Sequence, residues 1–225
     1  MINFFTNYKS KKFYSKLIDK EDLCFDIGAN IGKKSELILS IGAKVIAFEP
    51  QSQCFDKLEI LKNKFLNFEF YPYGIGSQNE EKELHLATHI EVATFSDEFI
   101  EFYSNETIQW NKKEIVSVKT LDSMIEKYGV PNYCKIDTEG YELKILSSLT
   151  YKIPMIEFEF TESHFDETLE IIDLFDSEKT TFNFILNENL KFKLKKWVSG
   201  NELKEQLKTL LKNKLHGNIF AKTDD

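Results

Sequence analysis

Leu23-Cys24-Phe25-Asp26-Ile27-Gly28-Ala29-Asn30-Ile31-Gly32 is the stretch that decides the fold. Its first five residues form a short apolar run that reads as a buried strand. Beyond it, Ser35 to Ser40 reads as a helix whose apolar residues are Leu37, Ile38 and, just past it, Ile41. Strand, glycine turn and helix in succession bring a backbone close to a nucleotide-like ligand. Gly28 and Gly32 supply room and permissive dihedrals, having no Cβ. Asp26 then stands at the carboxyl end of the strand, where open α/β sheets bind ligands.

The next element narrows the ligand. Ala43 to Phe48 is a second apolar strand, ended by Glu49-Pro50. An acid about 20 residues past such a turn accepts hydrogen bonds from ribose hydroxyls, each contributing roughly 1.5–3 kcal/mol when the acceptor is charged. A pyrophosphate-binding turn reads G-x-G-x-x-G, whereas Asn30 replaces the middle glycine here. A carboxylate at Asp26 repels a pyrophosphate and attracts an ammonium or sulfonium, which favours S-adenosylmethionine over a dinucleotide. Gly28 and Gly32 as mere turn glycines is the bland alternative, and Glu49 at this spacing weighs against it.

At 225 residues the chain suits one large α/β domain. Its 42% apolar content and 20 phenylalanines suffice for a core, and its formal net charge is −8. Every basic residue apart from histidine is lysine. The net charge disfavours a nucleic-acid partner; the lack of arginine forks, which usually read bases and phosphates, is a weak argument the same way, with biased codon usage as the preferred cause. Cys24, Cys54 and Cys134 lack metal or redox spacing. Cys24 and Cys134 fall in apolar strands, so burial is expected. The N-terminus lacks the apolar run of a signal peptide, and no segment reaches membrane-spanning length. A cytoplasmic location is the resulting expectation.

Alternating elements from Asp22 onward predict a parallel sheet covered on both faces, preceded by a helical extension over residues 1–20. A helix over Gln51–Lys64 and a strand over Asn67–Tyr71 follow the second strand. Residues 72–131 break the rhythm as an irregular insert expected to line the acceptor site. Within it, Glu81–Ala87 and Glu114–Lys119 alternate like short antiparallel or edge strands. The aromatic stretch Thr88–Lys112 reads either as a binding loop or as a satellite hydrophobic cluster. A helix over Thr120–Tyr128, a strand over Tyr133–Asp137 and a helix over Gly140–Leu149 come next. Strands over Met155–Phe160, Thr181–Leu186 and Asn218–Ala221, with helices over Asp166–Phe175 and Asn201–Lys214, complete the chain.

Lys135-Ile-Asp137-Thr-Glu139-Gly140-Tyr-Glu142 is a second, acid-dense strand-to-helix junction on the same sheet edge. Asp137 at the strand end is expected to face the ligand, and Glu142 to cap the helix. With Asp26-Ile-Gly-Ala-Asn-Ile-Gly32, Phe48-Glu-Pro50, Thr120-Leu-Asp122 and Gly217-Asn-Ile-Phe-Ala221, in this order, the chain resembles the FkbM-type methyltransferases over roughly residues 20–222. The resemblance implies a Rossmann-like class I methyltransferase: α/β, doubly wound, with a mostly parallel seven-stranded sheet whose last strand is antiparallel. It implies S-adenosylmethionine as cofactor, O-methylation of a sugar, glycoconjugate or secondary metabolite, and a small-molecule or glycan acceptor. On these motifs Asp26, Gly28, Asn30, Gly32, Glu49, Pro50, Gly76 and Asp137 would hold the donor. Lys33 after Gly32, Ser147-Ser148 in place of a helix-ending glycine, and Tyr73-Gly74-Ile75-Gly76 beside the adenine region depart from the family pattern.

A hydroxyl needs a proton acceptor at the transition state. Asp137 and Glu139 are the candidates by position, although a helix N-terminus and a cationic donor should lower their pKa values. Glu157 and Glu159 share a strand face and are expected to be less solvated. His164, just past that strand, is a further catalytic candidate. No convincing metal-ligand set is legible. N-methylation, a non-catalytic donor-binding module and a dinucleotide oxidoreductase remain the alternative readings.

Overall fold

The computed structural model describes residues 2–187, 189–210 and 216–224, with side chains from residue 8 onward. Its strands are β1 (Leu23–Ile27), β2 (Lys44–Phe48), β3 (Phe68–Tyr71), β4 (Tyr73–Gly76), β5 (Glu80–Ala87), β6 (Trp110–Thr120), β7 (Tyr133–Ile136), β8 (Met155–Thr161), β9 (Thr180–Leu186) and β10 (His216–Thr223). Its helices are α1 (Ile2–Tyr14), α2 (Lys33–Ile41), α3 (Phe55–Lys64), α4 (Asp97–Tyr103), α5 (Leu121–Tyr128), α6 (Glu142–Leu146), α7 (Phe165–Asp173) and α8 (Gly200–Leu210).

Seven strands form the main sheet in the order β3-β2-β1-β7-β8-β10-β9. Neighbours pair in parallel except around β10, which runs antiparallel to both β8 and β9. The mostly parallel seven-stranded sheet with an antiparallel last strand is therefore present as expected. Chain order reverses between β1 and β7, so the ligand crevice of such a sheet opens at their carboxyl ends.

Period-two alternation distributes the strand residues between two cores. Phe25, Ile27, Ile136 and Phe158 join Ile145, Ile172 and Leu203 on one face. Cys24, Val45, Ala47 and Tyr133 join Ile38, Leu58 and the N-terminal Phe13 and Tyr14 on the other. Burial on both faces explains why these strands read as continuous apolar runs. All three cysteines are free and buried. Tyr14 is 1% exposed, and its hydroxyl donates to Glu157 Oε1 at 2.9 Å.

The insert over residues 72–131 is more regular than its composition suggested. β4, β6 and β5 make a separate three-stranded sheet, β5 antiparallel and β4 parallel to β6. Alternation in β5 and β6 turns Leu84, Leu86, Val116 and Val118 inward as a small third core. β6 begins at Trp110, inside the stretch read as irregular, and α4 occupies its middle. Phe99 packs against Tyr103, Trp110 and His164 as a satellite cluster.

Helix lengths also differ from the expectation. α6 ends at Leu146 instead of Leu149, where Ser148 Oγ donates back to the Ile145 carbonyl at 3.0 Å, a bond that competes with helix propagation. α8 is described to Leu210, and the remainder of the helix expected over Asn201–Lys214 lies outside the described residues.

Candidate active site

A cavity of about 350 Å³ opens at the carboxyl ends of β1, β2 and β7, within the usual range of roughly 300–1,000 Å³ for ligand pockets. Gly28 to Ile31 form its floor; Glu49, Pro50 and Gln51 one wall; and Lys135, Asp137, Thr138 and Glu139 the opposite wall. Tyr73, Gly74 and Ile75 from β4, with Thr94 and Phe95 from the insert, close it from above.

The turn after β1 is built by three residues with positive φ, the last being Gly32 at 81°. Gly28 has φ 74°, and a Cβ there would sit 1.8 Å from the Asp137 carbonyl oxygen. Only glycine lets the β1 and β7 loops meet. Asn30 has φ 51°, a conformation that asparagine tolerates through local hydrogen bonds. Its Oδ1 accepts from the Ile31 amide at 2.7 Å, and its Nδ2 donates to the Ile90 carbonyl at 2.7 Å. The asparagine in the middle-glycine position thus supplies the left-handed turn and ties it to the insert.

Glu49 is 2% exposed. Its Oε2 accepts from the Asn30 amide at 2.7 Å and its Oε1 from the Gln51 amide at 2.9 Å. Burial raises its pKa against the lowering pull of those amides. A carboxylate offers about four acceptor sites, so two remain for ligand hydroxyls. This disposition fits the ribose of S-adenosylmethionine.

On the opposite wall Lys135 is the central cation. Its ammonium lies 2.8 Å from Asp137 Oδ2 and 3.8 Å from Asp26 Oδ1. Burial alone would lower its pKa, but Asp137 and Asp26 outweigh it and hold the value above that of an ordinary lysine. Carboxylate oxygens of Asp137, Glu139 and Glu159 lie within 4.8 Å of one another. Glu159 Oε2 is buried with no hydrogen-bond partner. Burial, then the neighbouring acids, push both Glu139 and Glu159 well above the usual carboxylate range. For Glu139 this reverses the lowering expected from position alone, because desolvation and crowded negative charge exceed the helix-terminal field. Glu142, by contrast, accepts from the Thr138 amide at 2.6 Å and the Gly140 amide at 3.1 Å, and so pins its own loop.

Gly28, Asn30, Glu49, Pro50, Asp137 and Glu139 all line the cavity. Four other candidates are outside its lining. Asp26 is wholly buried beneath the turn, accepting from Ser35 Oγ at 2.5 Å. Gly32 packs against Leu58 and Leu61 of α3, and Gly76 against Val118 and Tyr141. His164 is 6% exposed, bonded through Nδ1 to Ser163 Oγ at 2.9 Å and facing Ser96 Oγ at 3.3 Å. Burial lowers its pKa, and its ring fills the space beside Gly140. Glu157 is also walled off, held by Tyr14, Tyr133, Lys34 and Asn218. Lys135 was not singled out from sequence, although a lysine inside a buried parallel strand is itself a signal that acids surround it.

Residues 26–190 match the family model of the methyltransferase FkbM domain. The chain belongs to that family. S-adenosylmethionine is the cofactor of this FkbM domain. Among curated proteins, the hexuronic acid methyltransferase AglP of Haloferax volcanii is 28% identical over 151 residues, 65% of this chain. The match spans 57% of that relative's length. Solved structures share the fold. The precorrin-6y C5,15-methyltransferase of Geobacter metallireducens superposes with a TM-score of 0.52 at 11% identity, covering 95% of this chain and 88% of that one. A NADB-Rossmann superfamily protein of Streptococcus agalactiae superposes at 0.50 and 10% identity, covering 96% and 67%. Among the described residues no helix is long and apolar enough to cross a membrane.

Proposed function

We propose that this FkbM domain transfers a methyl group to a hydroxyl of a sugar or glycoconjugate. The observation that carries the reading is the pairing of walls: an amide-anchored Glu49 faces Asp137 and Glu139 across one cavity, with Glu159 crowded against those two acids. The sugar acceptor is favoured by the similarity to a hexuronic acid methyltransferase. The net charge of −8 argues against a nucleic-acid acceptor. Three buried, free thiols suit a reducing, cytoplasmic location.

When bound, S-adenosylmethionine supplies an electrophilic methyl group on a cationic sulfur. Glu49 receives ribose hydroxyls on its two remaining acceptor sites. The Gly28–Asn30 turn shapes the floor beneath them, and Pro50 the wall beside them. Asp26 stays below the turn and, through Ser35 and Lys135, fixes the height of the β1 loop. Asp137, oriented by Lys135, positions the acceptor hydroxyl, and Glu139 takes its proton. A carboxylate with a raised pKa is the better base, and burial together with the charges of Asp137 and Glu142 gives Glu139 that character.

Labelled methyl transfer to a panel of uronic acids, oligosaccharides, amines and RNA tests the reading. Label is expected in a sugar hydroxyl, with Asp137→Asn lowering turnover at least tenfold while S-adenosylhomocysteine affinity changes less than threefold. Transfer to amines or RNA alone would overturn the acceptor assignment. Product binding with no transfer to any acceptor would favour a non-catalytic module.

A further inference from the structure

Two segments far apart in the chain carry lysines and no carboxylate. Residues 1–18 contain Lys9, Lys11, Lys12 and Lys16 and no acid; residues 189–201 contain Lys191, Lys193, Lys195 and Lys196 and again no acid. In a chain of net charge −8, this segregation leaves the remaining surface strongly acidic.

The fold brings the two segments together. The rings of Phe13 and Phe192 lie 4.9 Å apart, and both touch Phe220 of β10. Trp197 packs on Phe192 at 5.3 Å. Lys9 precedes Phe13 by four residues, on the side of α1 that meets the second segment, and Lys16 lies in the turn just past α1. Lys191 and Lys193 bracket Phe192 in the same way. Phe13, Phe192 and Trp197 pack into the second core, and all seven lysines of this face (Lys9, Lys12, Lys16, Lys191, Lys193, Lys195 and Lys196) are exposed. Lys11 differs, donating to the Ser40 carbonyl on the α2 side. Among the described residues no carboxylate pairs with any of the seven, whereas Lys33, Lys34, Lys64, Lys113 and Lys204 elsewhere are paired. Tyr8, 64% exposed, stands one turn before Lys12.

We propose that the face formed by α1 and residues 190–197 docks the protein on a bilayer surface rich in anionic phospholipid headgroups. Clusters of four to eight basic residues beside a membrane surface have this affinity, and α1, the turn after it and residues 190–197 together supply seven. Exposed tyrosine and half-buried tryptophan at the patch suit the interfacial layer. Seven lysine point charges spread over one face suit the diffuse negative field of such a surface. The attachment is peripheral: charge holds the face to the headgroups, while Phe13, Phe192 and Phe220 are packed inside the fold.

Sedimentation with vesicles of phosphatidylcholine alone, or with about one third phosphatidylglycerol, tests this. Binding is expected only to the anionic vesicles and should fall steeply between 50 and 300 mM salt. Each lysine changed to glutamine should weaken it about fivefold, so Lys9→Gln, Lys12→Gln, Lys16→Gln and Lys193→Gln together should abolish it. The same variant should bind S-adenosylhomocysteine as the parent does, which verifies its fold. A control variant with Lys57→Gln and Lys62→Gln on α3 should retain vesicle binding. Equal binding to neutral vesicles, undiminished binding by the fourfold variant, or displacement from anionic vesicles by low concentrations of single-stranded RNA would each overturn the proposal. Should the fourfold variant not fold, the vesicle-charge and salt dependence of the parent decide the matter alone.

Discussion

Truncating Glu49 tests the donor site and the fold at once. Its carboxylate accepts two backbone amides, Asn30 at 2.7 Å and Gln51 at 2.9 Å. Glu49→Ala leaves both amides without that partner. A hydrogen bond to a charged group contributes about 1.5–3 kcal/mol, so the pair sets an upper bound of about 3–6 kcal/mol. Asn30 and Gln51 line the cavity, and water entering it restores part of the loss, leaving about 2–4 kcal/mol. For a domain of this size each kcal/mol moves Tm by about 2–4 °C, so scanning calorimetry of the ligand-free variant should show a fall of about 5–15 °C. Titration calorimetry with S-adenosylhomocysteine should separately show affinity lowered by one to two orders of magnitude, on the order of 1.5–3 kcal/mol. Glu49→Gln keeps one acceptor oxygen but turns an NH2 donor toward the other backbone amide, so it should recover at most part of the stability and not the affinity. A ligand-free Glu49→Ala protein melting within about 2 °C of the parent would refute the claim that this carboxylate joins the two loops. Unchanged affinity would remove its ribose role.

Glu159→Gln should stabilise the protein at pH 8 more than at pH 5. Its folded pKa is raised by burial and neighbouring acids, so its favourable contribution is complete below the unfolded pKa and is lost as pH rises through the folded one. Denaturant unfolding at both pH values checks this, and a pH-independent difference would contradict it. Gly28→Ala should prevent the β1 and β7 loops from closing, since its Cβ would meet the Asp137 carbonyl at 1.8 Å; a soluble variant with normal product affinity would show that the loops have slack. Tyr14→Phe should lower stability by about 1–2 kcal/mol in urea unfolding through loss of one bond to buried Glu157. No change would mark α1 as a dispensable arm.

Much of the fold was legible because it follows from local pattern. Leu23–Ile27, Lys44–Phe48 and Tyr133–Ile136 are apolar runs bounded by turn residues, and each is a strand of the central sheet. The insert was legible only in part. β5 and β6 alternate visibly, but their union with β4 into a separate sheet depends on pairing across more than thirty residues. In the site, Gly28, Asn30 and Glu49 were legible because their roles are backbone roles: a positive φ, or an acid meeting the neighbouring strand's turn. His164 was misleading, since sequence shows which loop it joins and not that Phe99 and Gly140 enclose its ring.

Sequence alone determined the strand–turn–helix units, their order, and the acids carried at the ends of β1, β2 and β7, because these depend on residues within a few positions of one another. Tertiary structure alone decided which acids reach the cavity and which lie beneath it. Asp26 and Asp137 read alike in their motifs, yet Asp26 is wholly buried and Asp137 lines the cavity. The difference arises because parallel register sets Asp26 beside Lys135 and leaves Asp137 one step beyond the strand end. The raised pKa of Glu139 also depends on the fold, since burial comes first among its causes, ahead of the charges of Asp137 and Glu142. Charge and solvation at a site are sums over neighbours that only the folded sheet assembles.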